Sequence, residues 1–138
     1  LALAVPTDAQ PGGVPAELEA ISSGARDVFA AAEAGDWEAT TSTLDVMTSA
    51  WAAHQATGAV PPLLDIQMSQ ALDALAGNAL MPAVRARNPE GARNAALAVE
   101  MAGLDLQLQY RPPIEIDLGR LGIWANQLLV DAASGKAL

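Results

Sequence analysis

The sequence predicts an all-α fold, an antiparallel up-and-down bundle of four to five helices with an extended N-terminal tail. Three observations point there. Hydrophobic residues form 51% of the chain but aromatics only 4%, and alanine supplies much of the difference. Alanine has the highest helix propensity and lets helix axes approach closely, so this composition favours packed helices over a sheet. Trp37, Thr40, Leu44, Met47, Trp51 and His54 recur alternately three and four residues apart, which lays them along one side of a helix. Finally, Gly35-Asp36, Gly58, Pro61-Pro62, Asn88-Pro89 and Pro112-Pro113 fall at intervals that suit helix ends. At 138 residues the chain has the length of one domain with a substantial core, residues 1–14 forming the tail and 15–138 the helical domain.

The tail opens on the apolar run Leu1 to Val5, passes Thr7-Asp8-Ala9 and continues through Gln10-Pro11-Gly12-Gly13. It resembles the end of a secretory signal peptide, with Thr7-Asp8-Ala9 as a small-x-small cleavage site, although a basic start is missing. A periplasmic or other extracytoplasmic location is the corresponding expectation. Leu1, Leu3 and Val5 are candidate partner contacts, since a Pro/Gly-rich apolar tail is ordered when it docks on something.

The first helix, 15–34, starts at Pro15 with Glu17 and Glu19 near its positive end, and Leu18, Ile21, Ala25, Val28 and Ala32 form its stripe. Gly35 ends it and Asp36 caps the second helix, 36–57; so short a connection makes the two antiparallel neighbours. Two of the three tryptophans and the only histidine lie on the stripe of this second helix, which is therefore expected to be the spine of the core. The third helix, 62–87, carries Leu64, Met68, Ala71 and Leu75 on one face. It is expected to kink near 78–82, where the Pro82 ring would clash with the Asn78 carbonyl. Asn88 and Pro89 open the fourth helix, 89–110, with Leu97, Met101, Leu104 and Leu108 on its buried side.

Leu104, Leu106, Leu108 and Tyr110, then Ile114, Ile116 and Leu118, alternate with polar residues, which is also a strand signal with Arg111-Pro112-Pro113 as a hairpin turn. Helices are preferred here. Leu and Gln are good helix formers, Arg111 must leave the helical region before proline, and Ile114-Glu115-Ile116-Asp117 makes an acidic first turn. The fifth helix, 113–133, is apolar on two sides: Ile114, Leu118, Leu121, Ala125 and Leu128 form one stripe, Ile116, Ile123 and Val130 another. Such a helix is either central or covered by a partner, and Ile116, Ile123 and Val130 are the expected partner contacts. A weak internal repeat sets Ala34-Gly35-Asp36 against Arg87-Asn88-Pro89. By that register a sixth helix should follow Ser134-Gly135, unless the fifth completes a core elsewhere.

The net charge of −9 is unevenly placed: ten acidic and one basic residue precede Val84, six of each follow it. An acidic body argues against nucleic acid as a partner, because phosphate neutralisation needs a basic face. Arg85, Arg87 and Arg93 cluster at a helix end, where cations are favoured. Charged residues are only 17% of the chain, below the roughly 25% usual for a soluble domain, which fits either a covered surface or the plain Gly/Ala-rich composition of a high-GC genome. No run reaches the roughly 20 apolar residues of a membrane span, and peripheral membrane contact stays open. The absence of cysteine removes disulfides, thiolate metal sites and thiol nucleophiles.

Three constellations could carry chemistry. His54 with Met47, Met68 and Met101 has the donor types of haem or copper sites, against the ordinary use of Met as core filler and His as a helix-end cap. Asp45, Asp73, Glu100, Asp105 and Asp117 lie near buried stripes but lack the Glu-x-x-His pattern of a di-iron bundle. Tyr110, Arg111, Asp117, Arg120 and Trp124 surround the last interhelix turn, where Asp117 and Arg120 can pair as a structural lock. There is no nucleophile elbow, P-loop, dinucleotide fingerprint or zincin motif. The expectation is a non-catalytic exported helical bundle without a cofactor, acting through contact with a protein partner or a second copy, such as an accessory subunit. The alternative is a small periplasmic protein holding haem, a metal ion or an apolar ligand through His54 and the methionines.

Overall fold

The computed structural model describes residues 13–79 and 88–135. Five helices account for most of them: α1, Ala16–Ala34; α2, Trp37–Gln55; α3, Pro62–Ala79; α4, Pro89–Gln107; and α5, Pro113–Ala133. Each start has a local cause. The Pro15 carbonyl accepts the Leu18 and Glu19 amides at 3.0 and 3.1 Å, so Pro15 caps α1 from just outside it. Asp36 accepts the Ala39 amide at 3.0 Å and Asn88 accepts the Gly91 amide at 3.0 Å, each satisfying a donor that a helix leaves unpaired. Pro113 stands at the first position of α5, where its missing N–H costs nothing. Gly35, at φ 74°, ends α1 in the left-handed conformation that only glycine adopts cheaply, and its amide returns to the Ala32 carbonyl at 3.1 Å.

Helices α1 to α4 close a ring in which chain neighbours run antiparallel. α1 packs on α2 and on α4, α3 packs on α4, and the seam between α2 and α3 is the lightest. Trp51 Nε1 donates to Ser69 Oγ at 3.2 Å and Gln55 to Asp65 at 2.7 Å across that lightest seam. The ring encloses the main core, drawn from Leu18, Ile21, Ala25 and Val28 of α1, Leu44, Met47 and Trp51 of α2, Met68, Leu72 and Leu75 of α3, and Ala92, Ala96, Val99 and Leu106 of α4. α5 lies outside the ring, on α4. It forms a second cluster there with Leu97 and Leu104, joined by Phe29 and Met101.

The expected stripes of the first three helices are the buried ones, with Trp37 and Leu64 half-buried at their starts. Three expectations are corrected. α2 is not the spine: it packs mainly on α1 and lightly on α3, while α4 is packed by α1, α3 and α5 and buries a long run of side chains. The buried side of α4 is wider than Leu97, Met101, Leu104 and Leu108, because alanines facing the ring complete it, and Leu108 is 39% exposed. The fourth helix ends at Gln107 rather than Tyr110. The strand alternative over 104–118 does not hold, as no strand occurs among the described residues. Alternation of Leu104 and Leu106 has another origin: two residues apart on a helix they point roughly 200° apart. Leu104 thus enters the α5 cluster and Leu106 the ring core. Helix α3 runs through Asn78 to Ala79; the break expected near 78–82 falls mainly, and the resumed turn with Arg85 and Arg87 wholly, outside the described residues.

Burial separates positions on one helix sharply. Leu44→Ala, at a site 2% exposed, should lower the unfolding free energy by about 2–5 kcal/mol. Val46→Ala, at a site 59% exposed, should change it by no more than about 0.5 kcal/mol in the same urea titration.

Candidate interaction surface

α5 is built to lean on α4 along a narrow line. Ile116, Ile123 and Val130 are spaced seven apart, two helical turns, and all three are buried. They meet Leu97 and Leu104, and Leu104 lies directly over Gly119, where a Cβ would stand 2.9 Å from its Cδ1. Polar pairs pin the line. Arg120 donates to Asp105 of α4, which also accepts from Gln67 of α3 at 3.0 Å. One turn pair further on, Gln127 donates to Asn94 at 2.7 Å. Arg120 also binds Asp117 at 3.0 Å, and Arg111 binds Glu115 at 3.0 Å and Gln107 at 2.9 Å. The expected lock around the last turn therefore exists in Arg111, Asp117 and Arg120, but Trp124 takes no part in it and is 55% exposed.

The opposite side of α5 is bare and apolar. Ile114, Leu118, Leu121, Trp124, Leu128 and Leu129 are each 53–68% exposed. At about 100° per residue they occupy, with Ala125 and Ala132, an arc of roughly 140° facing away from α4, in which Asp117 is the charged residue. Ile116, Ile123 and Val130, expected to face a partner, are instead the residues spent on α4, and the other apolar stripe is the one left open. Periodicity cannot assign two stripes of equal hydrophobicity to their neighbours. A signal was nonetheless present: Arg120 and Gln127 flank the 116/123/130 line, where polar partners on α4 can reach them. The tail residues Leu1, Leu3 and Val5 lie outside the described residues.

The other candidate groups are not gathered into a site. Met47 fills a notch left by Gly24 of α1, where a Cβ would lie 2.4 Å from Met47 Cγ; Met68 reaches toward Gly103 of α4. Met101 belongs to the second cluster, by α5, so the three methionines do not converge on His54. His54 is 3% exposed, tilted against the Trp51 ring at 5.9 Å, and its Nδ1 has no hydrogen-bond partner among the described residues. Asp45 and Asp73 are exposed, while Asp105 and Asp117 are taken up by Arg120. Among the described residues no group of three His, Cys, Asp or Glu side chains is placed to hold a metal ion.

A polar cleft of about 500 Å³ lies between α1 and the end of α4, lined by Ser22, Arg26, Glu100, Gln107, Tyr110 and Arg111 among others. Several of its groups satisfy one another. Buried Gln107 donates to Ser22 Oγ at 2.8 Å and accepts from Arg111, and Arg26 stands 3.7 Å from Glu100. Burial pushes the Glu100 carboxyl above its ordinary value, against the opposing pull of Arg26. Mutual pairing of this kind fixes helix register and leaves few groups free to hold a ligand.

The fold and surface thus define the class: an all-α bundle of four ringed helices carrying a fifth with an open apolar face. No protein-family model, no curated protein and no solved structure matches the chain. Among the described residues no helix is long and apolar enough to cross a membrane.

Burial holds the His54 pKa below its ordinary value, outweighing the raising influence of Glu17. The native state therefore disfavours the imidazolium, and the unfolded chain takes up this proton first as pH falls below about 6.5. Stability should decline from there until the lower native pKa is passed, then level off as far as this group is concerned. His54→Gln should remove that component of the decline. Urea midpoints at closely spaced pH values for both chains are the check, and equal slopes would contradict the assignment.

Proposed function

We propose that this protein is a non-catalytic helical bundle that works through protein–protein contact, with the outer face of α5 as the contact surface and an accessory-subunit role as its setting. The observation that carries this reading is the set of six large apolar side chains, each more than half exposed, on one side of one helix. Scattered exposed apolar residues are ordinary; a contiguous patch of this kind is the mark of an interaction site. An extracytoplasmic location is part of the same reading and rests on the apolar tail with its Thr7-Asp8-Ala9 site.

A binding-protein reading, with haem, a metal ion or an apolar ligand held by His54, Met47, Met68 and Met101, has less behind it. Its one favourable feature is the unpartnered His54 Nδ1. Against it, the sulfur donors are committed to separate packing contacts in two different clusters.

A photo-reactive benzoylphenylalanine placed at Leu121, and separately at Leu128, in cells producing the chain tests the contact reading. Protein adducts should form at both positions and not at Asp45, which is exposed on α2. Adducts to lipid alone, or none, would overturn it.

A further inference from the structure

We infer that the occupant of the α5 face is a second copy of this chain, the two α5 helices pairing antiparallel about a two-fold axis. The inference rests on the protein-contact reading and names its partner. Pattern, shape and charge carry it together.

Ile114, Leu118, Leu121, Ala125, Leu128 and Ala132 follow the spacing four, three, four, three, four, and every one of them is exposed. That is the seam of a two-stranded coiled coil, here about 27 Å long. A two-fold contact requires the surface to be complementary to itself. Antiparallel pairing centred at Ile123 sets Ile114 against Ala132 of the copy, Leu118 against Leu128 and Leu121 against Ala125. Large residues then meet small ones at the alanine positions and fill them, whereas parallel pairing would set alanine on alanine and leave voids that cost stability. Opposed helix dipoles favour the same orientation.

Charge selects among occupants. The seam carries no charged residue, and those at its borders are engaged within the chain: Asp117 with Arg120, Glu115 with Arg111, and Asp131 with Gln127. A neutral face suits an equally neutral one. It does not suit an anionic bilayer, which a surface-lying helix meets with Lys and Arg along its polar side. The excess negative charge sits in the part of the chain that holds α1 to α3, and α5 stands outside α4, so pairing through α5 does not press those helices together.

Sedimentation equilibrium of the purified chain, from low micromolar to submillimolar, tests the inference. The expected particle has twice the 14.1 kDa chain mass. The double variant Leu121→Glu, Leu128→Glu should sediment as a monomer with unchanged far-ultraviolet helix signal. Because the natural chain has no cysteine, single thiols report the geometry cleanly. A short bis-maleimide should join two Ala125→Cys chains but not two Ile114→Cys or two Asp45→Cys chains. Joining at 114 instead of 125 would overturn the antiparallel pairing. A natural chain that stays monomeric throughout, or a dimer that survives the double glutamate substitution, would overturn the second copy as occupant. In that event, adducts from Leu121 to a protein of another mass would leave the contact reading standing, and their absence would end it too.

Discussion

Packing α4 on two opposite sides is the constraint from which the rest of this structure follows. A helix has one circumference, and α4 must divide it between the ring core and α5. Toward the ring it presents Ala92, Ala96, Ala102 and Gly103, small residues that let α1 and α3 come close, with Val99 and Leu106 filling the centre. Away from the ring it presents Leu97 and Leu104, large residues that receive α5. Once α4 is buried in this way, α5 has a single line of support, and everything on its far side must face water or another molecule.

Polar contacts enforce the same division. Asp105 is bound from α3 by Gln67 and from α5 by Arg120, and so ties the ring to the outer helix. Gln107, 1% exposed, joins Ser22 of α1 to Arg111 at the turn into α5. Leaving such a group unpaired would cost about 1–3 kcal/mol, so these bonds select one register among the sliding alternatives that alanine-rich helices permit. They also draw the charges of α5 toward α4 and its own first turn. On the outer face the charged residue left is Asp117, which is paired with Arg120.

Much of this was legible in the sequence. The caps at Asp36 and Asn88, the stop at Gly35 and the prolines at 112 and 113 set the helices within a few residues, because these signals are local. The stripes of the first three helices were legible as well, since each has one apolar side. Two features were hidden. Alanine is weakly hydrophobic and common on all sides of these helices, so the ring-facing side of α4 gave no periodic signal and α2, with its tryptophans, looked like the centre. On α5 both sides are apolar, and which one meets α4 depends on Leu97, Leu104 and the polar pairs beside them, which are contacts distant in sequence. The candidate site failed for the same reason: Ile116, Ile123 and Val130 form a good stripe, but it belongs to the interior. His54 and the methionines share stripes without sharing a neighbourhood, and linear spacing cannot show that.

The central claim is that α1 to α4 form a self-contained ring and that α5, carried on α4, depends on a copy of itself for part of its cover. Amide hydrogen exchange, followed along the whole chain at low and high protein concentration, tests this directly. Exchange from α4 should be slowest at both concentrations, with α1 to α3 unchanged between them, while protection of α5 rises with concentration as pairing suppresses its local opening. Protection of α5 that is already as high as that of α4 in dilute solution, and indifferent to concentration, would contradict the account.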